Sequence, residues 1–196
     1  MIIKRRDATS DWIIGHQGLA TNAFENNKFL KFTNETLFTN SLVWGAEPTT
    51  TVTQIVTDGN AGAANLTSSG TYVMYSWAEI PGYSKFGSYV GNGNSDGDFV
   101  NLGFRPAFIL IKREASENWI IADYKRNSND RTSPADSYLA ANGNGAEATG
   151  IVYDLNQNGV KFRNSSQNES GNVYYYAAFA DSPGITPFGG ATANAQ

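Results

Sequence analysis

The chain repeats itself. Met1-Ile2-Ile3-Lys4-Arg5 returns as Ile109-Leu110-Ile111-Lys112-Arg113, and Trp12-Ile13-Ile14 returns as Trp119-Ile120-Ile121. The series continues with Gly45-Ala46-Glu47 against Gly145-Ala146-Glu147 and Ser69-Gly70 against Ser170-Gly171. It ends with Pro81-Gly82 against Pro183-Gly184 and Phe86-Gly87 against Phe188-Gly189. Six matches in one order, at spacings between 100 and 108 residues, mark a tandem duplication. A duplicated chain must fold as two versions of one plan. The spacing falls by seven between the Trp pair and the Gly-Ala-Glu pair. The first copy therefore carries an insertion, placed in the polar stretch 33–41, where a surface loop lengthens at little cost.

The division expected is a first module over 1–83, a second over 84–187 and a C-terminal tail over 188–196. In the second copy a segment spanning 88–107 leads into the Ile-Lys-Arg strand; nothing matches it ahead of Met1. The first module thus reads as N-terminally incomplete. Either the fold tolerates the loss or these residues end a longer polypeptide, and the second is the expectation.

Strands dominate the local reading. Phe108-Ile109-Leu110-Ile111 is a short apolar run of buried-strand type. The stretches 70–79 and 173–180 carry apolar or aromatic groups on both alternating sets, which predicts central strands covered on two sides. Gly159-Val160-Lys161-Phe162-Arg163 alternates and predicts one wet face. Asn-Gly pairs at 92–93, 142–143, 144–145 and 158–159 predict tight turns with positive φ. No sustained period of 3.6 appears; a turn or two of helix is expected at most, over 114–117 or 133–139. The fold class is all-β, two tandem related antiparallel β-sandwich modules with little helix.

Composition narrows the function. Lys and Arg total 14 against 18 Asp and Glu, a net charge of −4, the wrong balance for a phosphate-binding surface, so no nucleic acid is expected. The chain has no cysteine and one histidine, which removes disulfides, thiolate sites and the usual zinc or His-base constellations. No cofactor and no metal are expected. No apolar run approaches the roughly 20 residues that span a bilayer as a helix. The polarity comes from neutral groups: only 16% of residues are charged, while Asn alone is roughly 11%, far above an average domain.

The ordered set Ser88-Tyr89-Val90-Gly91-Asn92-Gly93, Gly103-Phe104-Arg105-Pro106-Ala107, Ile111-Lys112-Arg113, Trp119, Ala146-Glu147-Ala148-Thr149, Gly159-Val160-Lys161-Phe162 and Ser170-Gly171 with Tyr174-Tyr175-Tyr176-Ala177 resembles a repeat module of bacteriophage tail-fibre and other virion proteins. The resemblance covers about 84–183 in the second copy and 1–81 in the first. It implies a virion context more than a chemistry. After the Trp the module often has Asp, then Arg-Gly. The second copy keeps Asp123 and Arg126 with Asn127 in place of Gly; the first has Gly15-His16-Gln17-Gly18 and loses the pair.

Each candidate site has a plainer reading beside it. His16 stands outside any Ser, Asp or Cys motif and reads as a turn histidine. Asn92-Gly93-Asn94-Ser95-Asp96-Gly97-Asp98 matches the front of a calcium loop, but position twelve is Gly103 rather than a bidentate carboxylate, so it reads as a turn between strands. Asp96, Asp98, Glu114, Glu117 and Asp123 could supply a glycosidase pair, yet nothing sets their separation and the first copy lacks equivalents of Asp96 and Asp98; no catalytic residue is expected. Trp12 and Trp119, flanked by Ile-Ile in both copies, read as core. Trp44, with Asn144 at its place in the second copy, is the candidate exposed aromatic for ligand binding. Glycosylation patterns at Asn34, Asn65, Asn164 and Asn168 are common in any Asn-rich chain.

The expected function is a non-enzymatic bacteriophage virion structural protein, in a tail fibre or on the particle surface. It would assemble in multiple copies with itself and other virion proteins, and contact the host surface. Alternatives are a carbohydrate-binding module for host glycans and a tailspike-type polysaccharide depolymerase. An incomplete first module leaves an unpaired strand edge. Phe188-Gly189-Gly190-Ala191-Thr192-Ala193-Asn194 begins like Phe86-Gly87-Ser88-Tyr89-Val90-Gly91-Asn92, the missing piece, so this tail or a neighbouring chain is expected at that edge.

Overall fold

A computed structural model describes residues 1–19, 27–39, 43–45, 53–55, 64, 70–126 and 135–181, without the side chains of 135 and 152. The chain divides into two compact units, Met1–Ala78 with Ala115–Glu117, and Glu79–Glu114 with Asn118–Gln196. The step falls after Ala78, ahead of the expected 83/84 boundary. Among the described residues every regular element is a β-strand except one 3-10 turn, Gln17–Leu19. Neither expected helical stretch forms: Ala135–Ala140 is a strand and 114–116 a bend, while 133 and 134 lie outside the described residues.

The first unit is built on β1 (Ile2–Arg5), β2 (Trp12–Ile14), β3 (Leu30–Lys31) and β4 (Tyr72–Tyr75), antiparallel in the order β3-β2-β1-β4. Ile3 lies opposite Ile13, and both point into a core shared with Phe29, Val43, Trp44 and Ala64. A bridge pairs Phe29 with Phe38, whose rings stack at 5.1 Å, and another pairs Trp44 with Ile55. Gly15 lets the core close. A Cβ there would lie 2.6 Å from Trp44 Cζ2.

The second unit holds β5 (Ser84–Val90), β6 (Phe99–Asn101), β7 (Phe108–Arg113), β8 (Ile120–Asp123), β9 (Ala135–Ala140), β10 (Ala148–Asn156), β11 (Gly159–Phe162) and β12 (Val173–Phe179). They form one antiparallel sheet in the order β5-β12-β7-β8-β9-β10-β11-β6. Eight strands with an apolar face bury it by folding that face onto itself. Ile109, Ile111, Ala122 and Tyr176 from one half meet Tyr153, Leu155, Val160 and Phe162 from the other in a single core. Tyr89 of β5 stacks on Phe162 of β11 at 5.4 Å and on Tyr174 of β12 at 5.0 Å. The layering is therefore that of a sandwich. A register shift in β10 falls between Thr149 and Tyr153, where Gly150 takes φ 118. Val160 and Phe162 point inward while Lys161 reaches Asp96, the alternation expected of this strand.

The two units share more than class. The order β3-β2-β1-β4 recurs inside the larger sheet as β9-β8-β7-β12. The registers recur with it. Ile3 faces Ile13 as Ile111 faces Ile120, and Ile2 faces Ile14 as Leu110 faces Ile121. Arg5 faces Tyr72 as Arg113 faces Tyr174, and Ile3 faces Met74 as Ile111 faces Tyr176.

One strand departs from its expectation. The stretch 70–79 was expected as a central strand, and β12 is one, held between β5 and β7. Its counterpart β4 ends the first sheet, pairs with β1 alone among the described strands and runs for four residues. The cause is topological: no described strand takes the place in the first unit that β5 takes in the second.

Candidate interaction surface

Trp44 does not lie at the surface. Its side chain is 1% exposed in the first core, and its indole Nε1 donates to the Lys28 carbonyl at 2.9 Å. The expected ligand-binding role at the surface is corrected accordingly: a large ring with its polar atom satisfied inside is worth more as packing. Trp12 is corrected in the other direction. It stands 38% exposed with Lys4 Nζ 5.6 Å from its ring centroid, while Trp119 is buried as expected.

Three exposed apolar side chains stand together at the end of β4 and just beyond it. Met74, Tyr75 and Trp77 are 44%, 48% and 47% exposed, and the rings of Tyr75 and Trp77 stack at 6.3 Å and 25°. In the second unit the matching strand buries Tyr174, Tyr175 and Tyr176 to 5% or less. The difference follows from neighbours: among the described strands β12 is flanked on both sides and β4 on one. Sequence reasoning missed Tyr75 and Trp77 because it read 70–79 as central. No local signal separates the two stretches, because each carries apolar groups on both alternating sets.

The polar motifs serve the fold. Asn168, 1% exposed, donates through Nδ2 to Asn92 Oδ1 and the Asn94 carbonyl, and its Oδ1 accepts from Asn92 N–H. This clamp shapes the calcium-like run as a loop between β5 and β6, and it occupies one glycosylation pattern. Asn65 lies outside the described residues. Asp96 in that loop takes Lys161 Nζ at 2.7 Å and Arg163 at 3.1 Å; the hydrogen bond and charge of Lys161, then Arg163, hold its carboxyl below the usual carboxylate range. Arg163 also pairs with the buried Asp154. Among the described residues no three His, Asp or Glu side chains gather as a metal site.

The Asp123–Arg126 pair closes the turn after β8. Asp123 Oδ1 accepts from the backbone N–H groups of Lys125 and Arg126, and Oδ2 meets Arg126 Nε at 2.8 Å. Glu114 accepts from the Tyr175 hydroxyl at 2.8 Å. His16 Nδ1 accepts from Gly18 N–H at 3.0 Å, capping the 3-10 turn, as expected of a turn histidine. Of the Asn-Gly pairs, Gly93 alone takes positive φ, at 75°. Gly159 answers a different need, since a Cβ there would lie 2.0 Å from the Val100 carbonyl oxygen.

The chain is thus an all-β protein whose antiparallel sheet plan occurs twice, once with its last strand flanked on both sides and once with that strand last among the described ones. The tail 188–194, expected beside it, lies outside the described residues. It belongs to the family described as "Domain of unknown function (DUF7483)", which matches residues 1–183 and so spans both units. No curated protein and no solved structure matches the chain.

Proposed function

We propose that the chain is a non-enzymatic structural component of a bacteriophage particle, placed in a tail fibre or on the particle surface and present in multiple copies. Its partners are copies of itself and other virion proteins. The observation that carries this reading is the apolar group exposed at the end of β4 and just beyond it, Met74, Tyr75 and Trp77. Large apolar side chains exposed together mark a surface that another chain covers. The resemblance of the repeat motifs to virion modules supports the setting. Immunogold labelling of purified particles with antibody to this chain is expected to mark the tail or the particle surface. Particles that carry no label and yield no peptide of this chain by mass spectrometry would refute the assignment.

A second reading, a carbohydrate-binding module for host-surface glycans, is favoured by the stacked Tyr75–Trp77 pair, since such rings pack against sugar faces. A glycan array should then show binding that Trp77→Ala abolishes and Trp44→Phe leaves intact. An array without a hit removes this reading alone.

A further inference from the structure

We propose that Asn144-Gly145 is a self-modification site, at which Asn144 closes onto the Gly145 nitrogen as a cyclic imide and reopens as aspartate or isoaspartate. That chemistry has three requirements. The residue after the asparagine must lack a side chain that hinders ring closure, which glycine does. The carboxamide must be free to turn toward the following nitrogen, and that nitrogen must not have its N–H held elsewhere. Four Asn-Gly pairs meet the first requirement, at 92–93, 142–143, 144–145 and 158–159. The fold separates them on the other two.

Three pairs are held. Asn92 Oδ1 accepts from Asn94 N–H and from Asn168 Nδ2, while Gly93 N–H donates to the Asn168 carbonyl at 2.7 Å. Asn142 Oδ1 accepts from Trp119 N–H at 2.8 Å, its Nδ2 donates to Asn118 Oδ1, and Gly143 N–H donates to the Ala140 carbonyl. Gly159 is buried in β11, where even a Cβ would lie 2.0 Å from the Val100 carbonyl oxygen, and the Asn158 carbonyl is fixed by the N–H groups of Leu102 and Gly103. An imide ring has no room to form there.

Asn144-Gly145 differs on each count. Both residues are exposed and stand between β9 and β10, outside any regular element. Among the described residues neither the Asn144 carboxamide nor the Gly145 N–H has a hydrogen-bond partner. A Cβ placed on Gly145 would meet nothing within 4 Å, so the ring has space. The first copy cannot follow suit. Trp44-Gly45 holds this place there, with the indole buried and Gly45 N–H donating to the Gln54 carbonyl at 2.9 Å.

The step balances with water as the one co-reactant. The Gly145 nitrogen gives up its proton to solvent base and attacks Asn144 Cγ. The N–Cγ bond forms, the Cγ–Nδ2 bond breaks and ammonia leaves. Water then opens the imide, at Cγ to give aspartate or at the backbone carbonyl carbon to give isoaspartate, and nothing is oxidised or reduced. Either product puts a new negative charge in the loop that carries Glu147, the partner of Arg126 at 3.1 Å.

The test uses purified full chain, kept folded in mildly alkaline buffer made with oxygen-labelled water, then digested and read by fragment-ion mass spectrometry. The amide-to-acid mass gain, with label, should accumulate at Asn144 at least about tenfold faster than at Asn92, Asn142 and Asn158, which must first open locally. In urea the four should convert at comparable rates. Gly145→Val, placed in open space and so harmless to the fold, should slow conversion at Asn144, because a β-branched side chain crowds the attacking nitrogen. An unmodified Asn144 in the folded chain or equal conversion at all four positions would overturn the proposal. So would a preference for Asn144 that survives in urea, or a Gly145→Val chain that converts as fast as wild type.

Discussion

Trp44 and Trp77 place the same indole in opposite surroundings. Trp44 is enclosed by Ile3, Ile13 and Phe29 with its N–H bonded, whereas Trp77 lies half exposed against Tyr75. Trp44→Ala should therefore cost about 3–5 kcal/mol of stability, lost transfer energy plus a cavity. Trp77→Ala should stay within about 0.5 kcal/mol, as exposed substitutions do. Urea unfolding followed by circular dichroism checks both, and the reverse order would contradict the placement of these rings. Asn168→Ala should cost on the order of 1–3 kcal/mol, because it removes three hydrogen bonds made by a side chain that is itself buried and leaves the half-buried Asn92 without its partner.

At the scale of strands, β11 and β6 approach too closely for a side chain at Gly159. Gly159→Ala should destabilise by about 1–3 kcal/mol and raise amide exchange first in β6, the end strand of that sheet. Uniform loosening of all eight strands would contradict a local clash. The contrast of β4 with β12 belongs to this scale too. Their sequences, Tyr-Val-Met-Tyr and Val-Tyr-Tyr-Tyr-Ala-Ala-Phe, are alike in apolar character, yet one is exposed and the other buried. Propensity writes a strand; neighbours decide whether it is an edge.

Across the whole molecule the net charge is −4, and at Asp96 the fold sets the ionisation, the carboxyl being held below the usual range by Lys161. A carboxyl with a lowered folded value adds stability above its unfolded value and loses it as pH falls through the folded one. The stability difference between wild type and Asp96→Asn should thus be constant from pH 7 to 5 and shrink below 3.8, the ordinary value of a free aspartate. A difference that grew on acidification would contradict the Lys161 pairing.

The fold class was legible because it needs only local signals: alternation, β-branched runs, Gly-Asn punctuation and the absence of a helical period. The repeat was legible as well, and Ile3, Ile13, Ile111 and Ile120 fall in matching registers because the copies share their letters. The stretch 133–139 reads as a turn or two of helix where Ala135–Ala140 is a strand, because a short polar stretch carries little periodicity of either kind. Trp44 reads as a surface ring and is buried, because an unmatched aromatic beside an insertion gives no sign of which way it points. Residue type and spacing determined the strands, the turns and the duplication. Only the tertiary structure decided which tryptophans are buried and which strand stands at the edge. Burial depends on what is packed alongside, and packing joins residues that lie far apart in the chain.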